Sequence, residues 1–157
     1  MKRIQTILVV LLCLALALFS GCAGETEDKT TISAGEVTGA AGEEIKLPIS
    51  ITENSNLAAI KITVTFDPSK LLYVGYDHSE IFSPEAKVGN LAAEGRFVYS
   101  IATLTPFTEA GDIITLKLKG AEGVTGKIPV NVEIESAVDS EHNPLDIKLV
   151  AGSVTIQ

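Results

Sequence analysis

From Thr31 to Gln157 the chain is a succession of short apolar–polar alternations with a period of two. Such a period marks strands that bury one face. The clearest is "AIKITVTF" (59–66), where Ile60, Ile62, Val64 and Phe66 alternate with Ala59, Lys61, Thr63 and Thr65. "EIKLPISIT" (44–52) alternates in the same way. "TISAGEV" (31–37), "LLYVGY" (71–76), "RFVYSIA" (96–102), "DIITLKLK" (112–119), "IPVNVEIESAV" (128–138) and "DIKLVAGSVTIQ" (146–157) complete the set. Turn residues separate them: Gly39/Gly42, Asn54-Ser55-Asn56, Asp67-Pro68-Ser69, Glu94-Gly95, Gly120 to Gly126 and Asn143-Pro144. No stretch has the period of a helix beyond one or two turns, and "DHSEIFSPEA" (77–86) is the least regular. Eight or nine strands so spaced predict an all-β sandwich or jelly roll. Pro48 and Pro129 predict strand edges or bulges, because proline cannot donate to a ladder.

One strand breaks the pattern. In 96–102, Phe97, Tyr99 and Ile101 share a face, while Val98 and Ala102 make the other face partly apolar. Such a strand is either covered on both sides or carries a partner patch. Single exposed apolar residues are also ordinary.

The first nineteen residues are of another kind. Lys2 and Arg3 precede an uncharged, mostly apolar run from Ile4 to Phe19. A basic start followed by a short apolar stretch predicts an export signal. The alternative, a retained anchor, wants roughly 20 apolar residues. The run ends in "LFSGC" (18–22), which resembles a bacterial lipoprotein box, with Phe19 where that pattern usually has Leu. The resemblance makes residues 1–21 a removed leader and Cys22 the acylated N-terminus. Ordinary cleavage near Gly21-Cys22-Ala23 is the alternative. Residues 22–31 are polar and read as a flexible tether. Residues 32–157 read as one domain.

Composition then narrows the chemistry. Cys13 falls in the leader, so Cys22 is alone and no disulfide is available. All 20 acidic residues follow the leader, and losing Lys2 and Arg3 leaves 10 of the 12 basic ones, a formal mature charge of −10. That excludes a nucleic-acid partner, which needs a basic footprint. His78 and His142 are isolated in expected loops, and no G-x-S-x-G elbow occurs, so no catalytic residue is assigned. No zinc ligand set is present, and no cofactor is expected. Asp139, Glu141, Asn143 and Asp146 offer oxygen ligands for calcium, or simply form a polar hairpin loop.

Several segments, taken in order, resemble the cohesin family. "ISAGEVTGAAGEEIKLPISI" (32–51) is similar to its opening, and "LAAIKITVTFDPSKLLYVGY" (57–76) to its strand ending aromatic-Asp-Pro. "GRFVYSIA" (95–102), "EAGDIITLKLKG" (109–120) and "AGSVTIQ" (151–157) follow suit. The resemblance covers residues 32–157. It implies a nine-stranded jelly-roll sandwich that is not an enzyme and that binds dockerin modules, holding carbohydrate-active enzymes at a cell surface. In that family the dockerin lies across one sheet face. By position the resemblance implies contacts from Ala59, Lys61 and Thr63, from Lys87 and Leu91 on a neighbouring segment, and from Val98, Ser100 and Thr103. Cohesins tend to have Asn and Asp where this chain has Ala59 and Lys61, so the implied partner differs in charge. No D-x-[DN]-x-[DN]-G loop pair occurs here, so the dockerin belongs to another chain. The alternative is a carbohydrate-binding module of the same sandwich type, which needs Tyr73 or Tyr76 exposed to meet polysaccharide.

Overall fold

The computed structural model describes residues 29–53, 56–79 and 86–157. The leader, Cys22 and the tether as far as Asp28 lie outside them. The described residues form two sheets packed face to face. Strands β1 (Thr31–Ala34), β3 (Glu44–Ile51), β5 (Leu71–His78), β8 (Gly111–Gly120) and β10 (Lys148–Val150) make a five-stranded sheet in the order β10-β1-β3-β8-β5. Strands β2 (Glu36–Gly39), β4 (Leu57–Phe66), β6 (Ala86–Ala93), β7 (Arg96–Phe107), β9 (Gly126–Asp139) and β11 (Gly152–Ile156) make a six-stranded sheet in the order β2-β11-β9-β4-β7-β6.

The all-β sandwich is as expected, with eleven strands in place of nine. Beyond the eight segments read from the alternation, two come from the chain ends and the third is β6. The segment expected as one strand over 31–37 kinks at Gly35, so β1 lies in one sheet and β2 in the other. The segment over 146–157 does the same at Ala151. The two kinks meet. Ser153 N–H donates to Gly35 O over 3.0 Å, and Gly35 N–H donates to Pro48 O over 2.9 Å. Terminal strands therefore run parallel to each other in both sheets, β1 beside β10 and β2 beside β11. The same kink explains Pro48. It sits in an interior strand, opposite Thr115 of β8 and just before the register shift between Ile49 and Ser50, so it lies beside a bulge and not at a strand edge. On its other side β1 pairs only with Ile49, Ser50 and Ile51, so the proline withholds its missing donor where the neighbour is already leaving.

The alternating residues supply the core. Leu47, Ile49, Ile114, Leu116 and Leu118 face Ile60, Ile62, Val64, Phe97, Val130 and Val154, all buried. Each such side chain contributes about 1.5–3 kcal/mol on leaving water. The Asp67-Pro68 corner carries the chain from β4 in one sheet to β5 in the other. Asp67 Oδ1 accepts from the backbone N–H (3.0 Å) and hydroxyl (2.6 Å) of Ser69, and Asp67 O accepts from Leu71 N–H at 2.9 Å.

The side of the sandwich between edge strands β5 and β6 is closed by rings. Tyr73 and Tyr76 of β5 lie 5.5 and 5.1 Å from Phe97 of β7, centroid to centroid. The Tyr76 hydroxyl accepts from Gly89 N–H of β6 at 3.1 Å, and His78 Nδ1 lies 2.9 Å from the Tyr99 hydroxyl. Burial pushes the Tyr99 phenol up to about 12.

Candidate functional face

The outward face of the six-stranded sheet is built by strand parity. On β4, Ala59, Lys61, Thr63 and Thr65 oppose the buried series Ile60, Ile62 and Val64. On β7, Arg96, Val98, Ser100 and Ala102 pair in register with Thr65, Thr63, Lys61 and Ala59. On β6, Ala86, Val88 and Asn90 pair with Ala102, Ser100 and Val98. Five of the residues implied from sequence, Ala59, Lys61, Thr63, Val98 and Ser100, are thus brought onto one face.

Three are not. Lys87 and Leu91 stand opposite Ile101 and Phe97, which point into the sandwich. Leu91 packs against the core. On β6 the outward positions are the even-numbered ones, one residue away. Thr103 sits beyond the last regular β4–β7 pair, where the register shifts between Ala59–Ala102 and Leu57–Phe107. Its hydroxyl is spent locally, donating to Thr105 O (2.8 Å) and accepting from Thr105 N–H (3.1 Å).

The centre of the face is a charge network that reading the chain in one dimension missed. Along β9 the pairing with β4 shifts between Ile62–Ile134 and Lys61–Ser136, which leaves Glu135 as the extra residue of a bulge. From there Glu135 reaches across β4. Its Oε1 accepts from the Thr63 hydroxyl (2.8 Å) and from Arg96 Nη2 (3.0 Å), and its Oε2 lies 2.5 Å from Lys61 Nζ. Hydrogen bonding from Lys61, then from Thr63, lowers the Glu135 pKa, and burial opposes them. Thr63, although outward, is 1% exposed beneath this cluster. The bulge does leave a trace in sequence. In "IPVNVEIESAV" the inward residues run Ile128, Val130, Val132 and Ile134, then Ala137, so the alternation slips by one across Glu135 and Ser136.

Beside the network lies an open depression of about 320 Å³. Lys61, Arg96 and Glu135 form one side, Val88, Asn90 and Ala92 of β6 the other, and Val98 and Ser100 lie between. Val88 is 61% exposed.

The residue families that would support other chemistry are placed elsewhere. Tyr99 is buried, and Tyr73 and Tyr76 are partly buried against the core. The Asp139–Asp146 loop is a braced turn: Asp139 accepts from Glu141 N–H, Asn143 N–H and Asn143 Nδ2, and Asp146 pairs with Lys29. Among the described residues no three His, Cys, Asp or Glu side chains gather as a cation site.

The order of strands, the aromatic-Asp-Pro corner and this face can be set against known proteins. The family model for the cohesin domain matches residues 30–156. The chain belongs to the cohesin family. The match spans both sheets from β1 to the end of β11. Solved cohesins share the fold at low identity. Coh-OlpA, in a type I cohesin–dockerin complex of Clostridium thermocellum, superposes with a TM-score of 0.75 at 18% identity, covering 83% of this chain and 100% of that one. The sixth cohesin of Acetivibrio cellulolyticus scaffoldin B, in complex with a Cel5 dockerin, gives 0.75 at 19%, covering 82% and 99%. A non-cellulosomal cohesin from the archaeon Archaeoglobus fulgidus gives 0.74 at 16%, covering 82% and 91%. Among curated protein sequences none matches the chain. In this cohesin the residues placed on the face of β9, β4, β7 and β6 are Lys61 and Arg96 with Glu135 between them, next to Val98 and Val88.

Proposed function

We propose that this cohesin is a non-catalytic module that binds a dockerin-bearing protein in trans through the outward face of its six-stranded sheet. The observation that carries the reading is the face itself. It joins the exposed Val88 and the half-buried Val98 to a fixed polar network at Lys61, Arg96 and Glu135. Apolar contact with a satisfied polar rim is what a protein interface requires. Two of the similar cohesins were solved in complex with dockerins, which supports the same partner class here. Ala59, Lys61, Val98 and Ser100 form the contact surface, together with Arg96, while Thr63 acts from beneath by holding Glu135. The dockerin chain is a carbohydrate-active enzyme in this reading.

The leader and "LFSGC" add a location. Removal of residues 1–21 and acylation of Cys22 put the domain outside the cell on a short tether. Direct polysaccharide binding is the weaker reading, because the tyrosines that would stack on sugar rings pack against the sandwich interior.

The test is a pull-down from the organism's secreted proteins with the immobilised chain, the captured proteins being identified by mass spectrometry. The expected captives carry dockerins, and Val98→Asp releases them. Captives without dockerins, or captives that Val98→Asp and Lys61→Asp hold as well as the native chain, overturn the reading. Metabolic labelling with palmitate, lost in Cys22→Ser, tests the anchor.

A further inference from the structure

We propose that the depression on the six-stranded sheet receives a carboxylate side chain, an Asp or Glu, from the dockerin-bearing partner, so that this residue selects the partner. The proposal rests on the cohesin reading of the face. Its ground is a local excess of positive charge. Lys61 and Arg96 both border the depression, and one carboxylate, Glu135, answers the two of them. Glu133, the next outward acid on β9, does not line it. The chain as a whole carries a formal charge of −8, so this spot runs against the sign of its surroundings.

Part of the donor capacity of these two cations is also unspent. An ammonium offers three N–H groups and a guanidinium five. Lys61 gives one contact to Glu135. Arg96 gives Nη2 to Glu135 and, at 3.3 Å, to the Thr63 hydroxyl. A partner carboxylate takes the remaining donors without dismantling the pairs already formed. Asn90 and Ser100 add polar groups to the walls, and Val98 gives apolar contact for the methylenes behind the carboxylate. A basic partner residue meets Lys61 and Arg96 at close range, where like charges are penalised. Glu135, held by three donors, fixes the two cations before the partner arrives and so limits the entropy lost on binding.

The experiment uses a displayed library of dockerin modules randomised at surface positions, selected against the full chain held in detergent. Selection is repeated against Lys61→Glu/Arg96→Glu, with Lys46→Glu on the opposite sheet as a charge control. The expected result is enrichment of Asp or Glu at one dockerin position against the native chain and the Lys46→Glu variant. Against the double variant, Lys or Arg replaces it. Clones selected on the native chain are expected to lose at least tenfold in affinity for Lys61→Glu. Binding clones with no acidic enrichment, or with the same residues on both forms, overturn this proposal and leave the cohesin reading standing. Failure of every dockerin clone to bind the native chain overturns both.

Discussion

The hydroxyl of Thr63 donates to the carboxylate of Glu135 across 2.8 Å, from a side chain that is 1% exposed. An outward threonine in the middle of a sheet is covered because the bulge in β9 swings Glu135 over it. The pair therefore links the buried ladder of β4 to the charges on the face.

That link predicts that Thr63 and Glu135 are coupled in both stability and binding. Thr63→Val keeps the volume but removes a donor to a charged acceptor, so stability is expected to fall. Glu135→Gln keeps the shape and removes the charge that holds Lys61 and Arg96. A double-mutant cycle with these two changes, read by urea denaturation and by affinity for a captured partner, is expected to give non-zero coupling in both. Zero coupling in affinity would show that Thr63 does not position Glu135.

The carboxylates predict the acid limit of the fold. Asp67 is lowered chiefly by the Ser69 hydroxyl and backbone N–H, Asp139 chiefly by the Asn143 side chain, and Glu135 chiefly by Lys61. A depressed carboxylate stabilises the fold above its unfolded pKa of about 4, and that contribution is lost as pH falls through the folded value. These groups leave stability unchanged from pH 7 to about 5, and it declines below about 4. Asp67→Asn and Asp139→Asn are each expected to flatten that decline in urea midpoints measured between pH 5 and 2.

His78 acts in a different window. Burial lowers its pKa, Lys87 adds to the effect, and Asp77 opposes it. The folded state favours the neutral ring, whose Nδ1 can accept the proton of the buried Tyr99 hydroxyl. Below the unfolded value of about 6.5 the unfolded chain binds more protons, so stability falls as pH drops from about 7 towards 5. His78→Gln is expected to abolish that slope. Tyr99→Phe costs about 1 kcal/mol at pH 7, and the comparison is made by thermal denaturation at both pH values.

How much of this was legible in the sequence follows from where the period of two held. β4 alternates without interruption through Phe66, so its outward residues were read correctly. β6 was not seen as a strand. Its inward positions are Lys87, Gly89 and Leu91 and its outward ones Ala86, Val88, Asn90 and Ala92, so neither face is apolar enough to show a period. Its glycine is filled from another strand by Tyr76, which no local pattern records. That is why Lys87 and Leu91 were placed a residue out of phase. The kinks at Gly35 and Ala151 escaped notice because backbone can change sheets without changing its extended character. Glu135 was hidden by a one-residue slip that only the partner strand makes meaningful.

Gly89 gives the sharpest test of how the open side of the sandwich is closed. A Cβ there would lie 2.6 Å from Tyr76 Cζ and 2.8 Å from Phe97 Cζ. Both rings sit in the aromatic cluster, so neither retreats cheaply, and Gly89→Ala is expected to cost about 1–3 kcal/mol. Gly152 meets a harder obstacle, since its added Cβ would lie 2.2 Å from Gly35 O at the crossing of the two terminal strands. Backbone there has no rotamer to change. Gly152→Ala is therefore expected to destabilise more than Gly89→Ala. Combining Gly89→Ala with Tyr76→Leu, which shortens the obstructing side chain, should recover part of the loss, whereas no side-chain change relieves Gly152→Ala. Urea midpoints of the three variants check the order. Equal costs at the two glycines would mean that the β5–β6 side is packed as rigidly as the strand crossing.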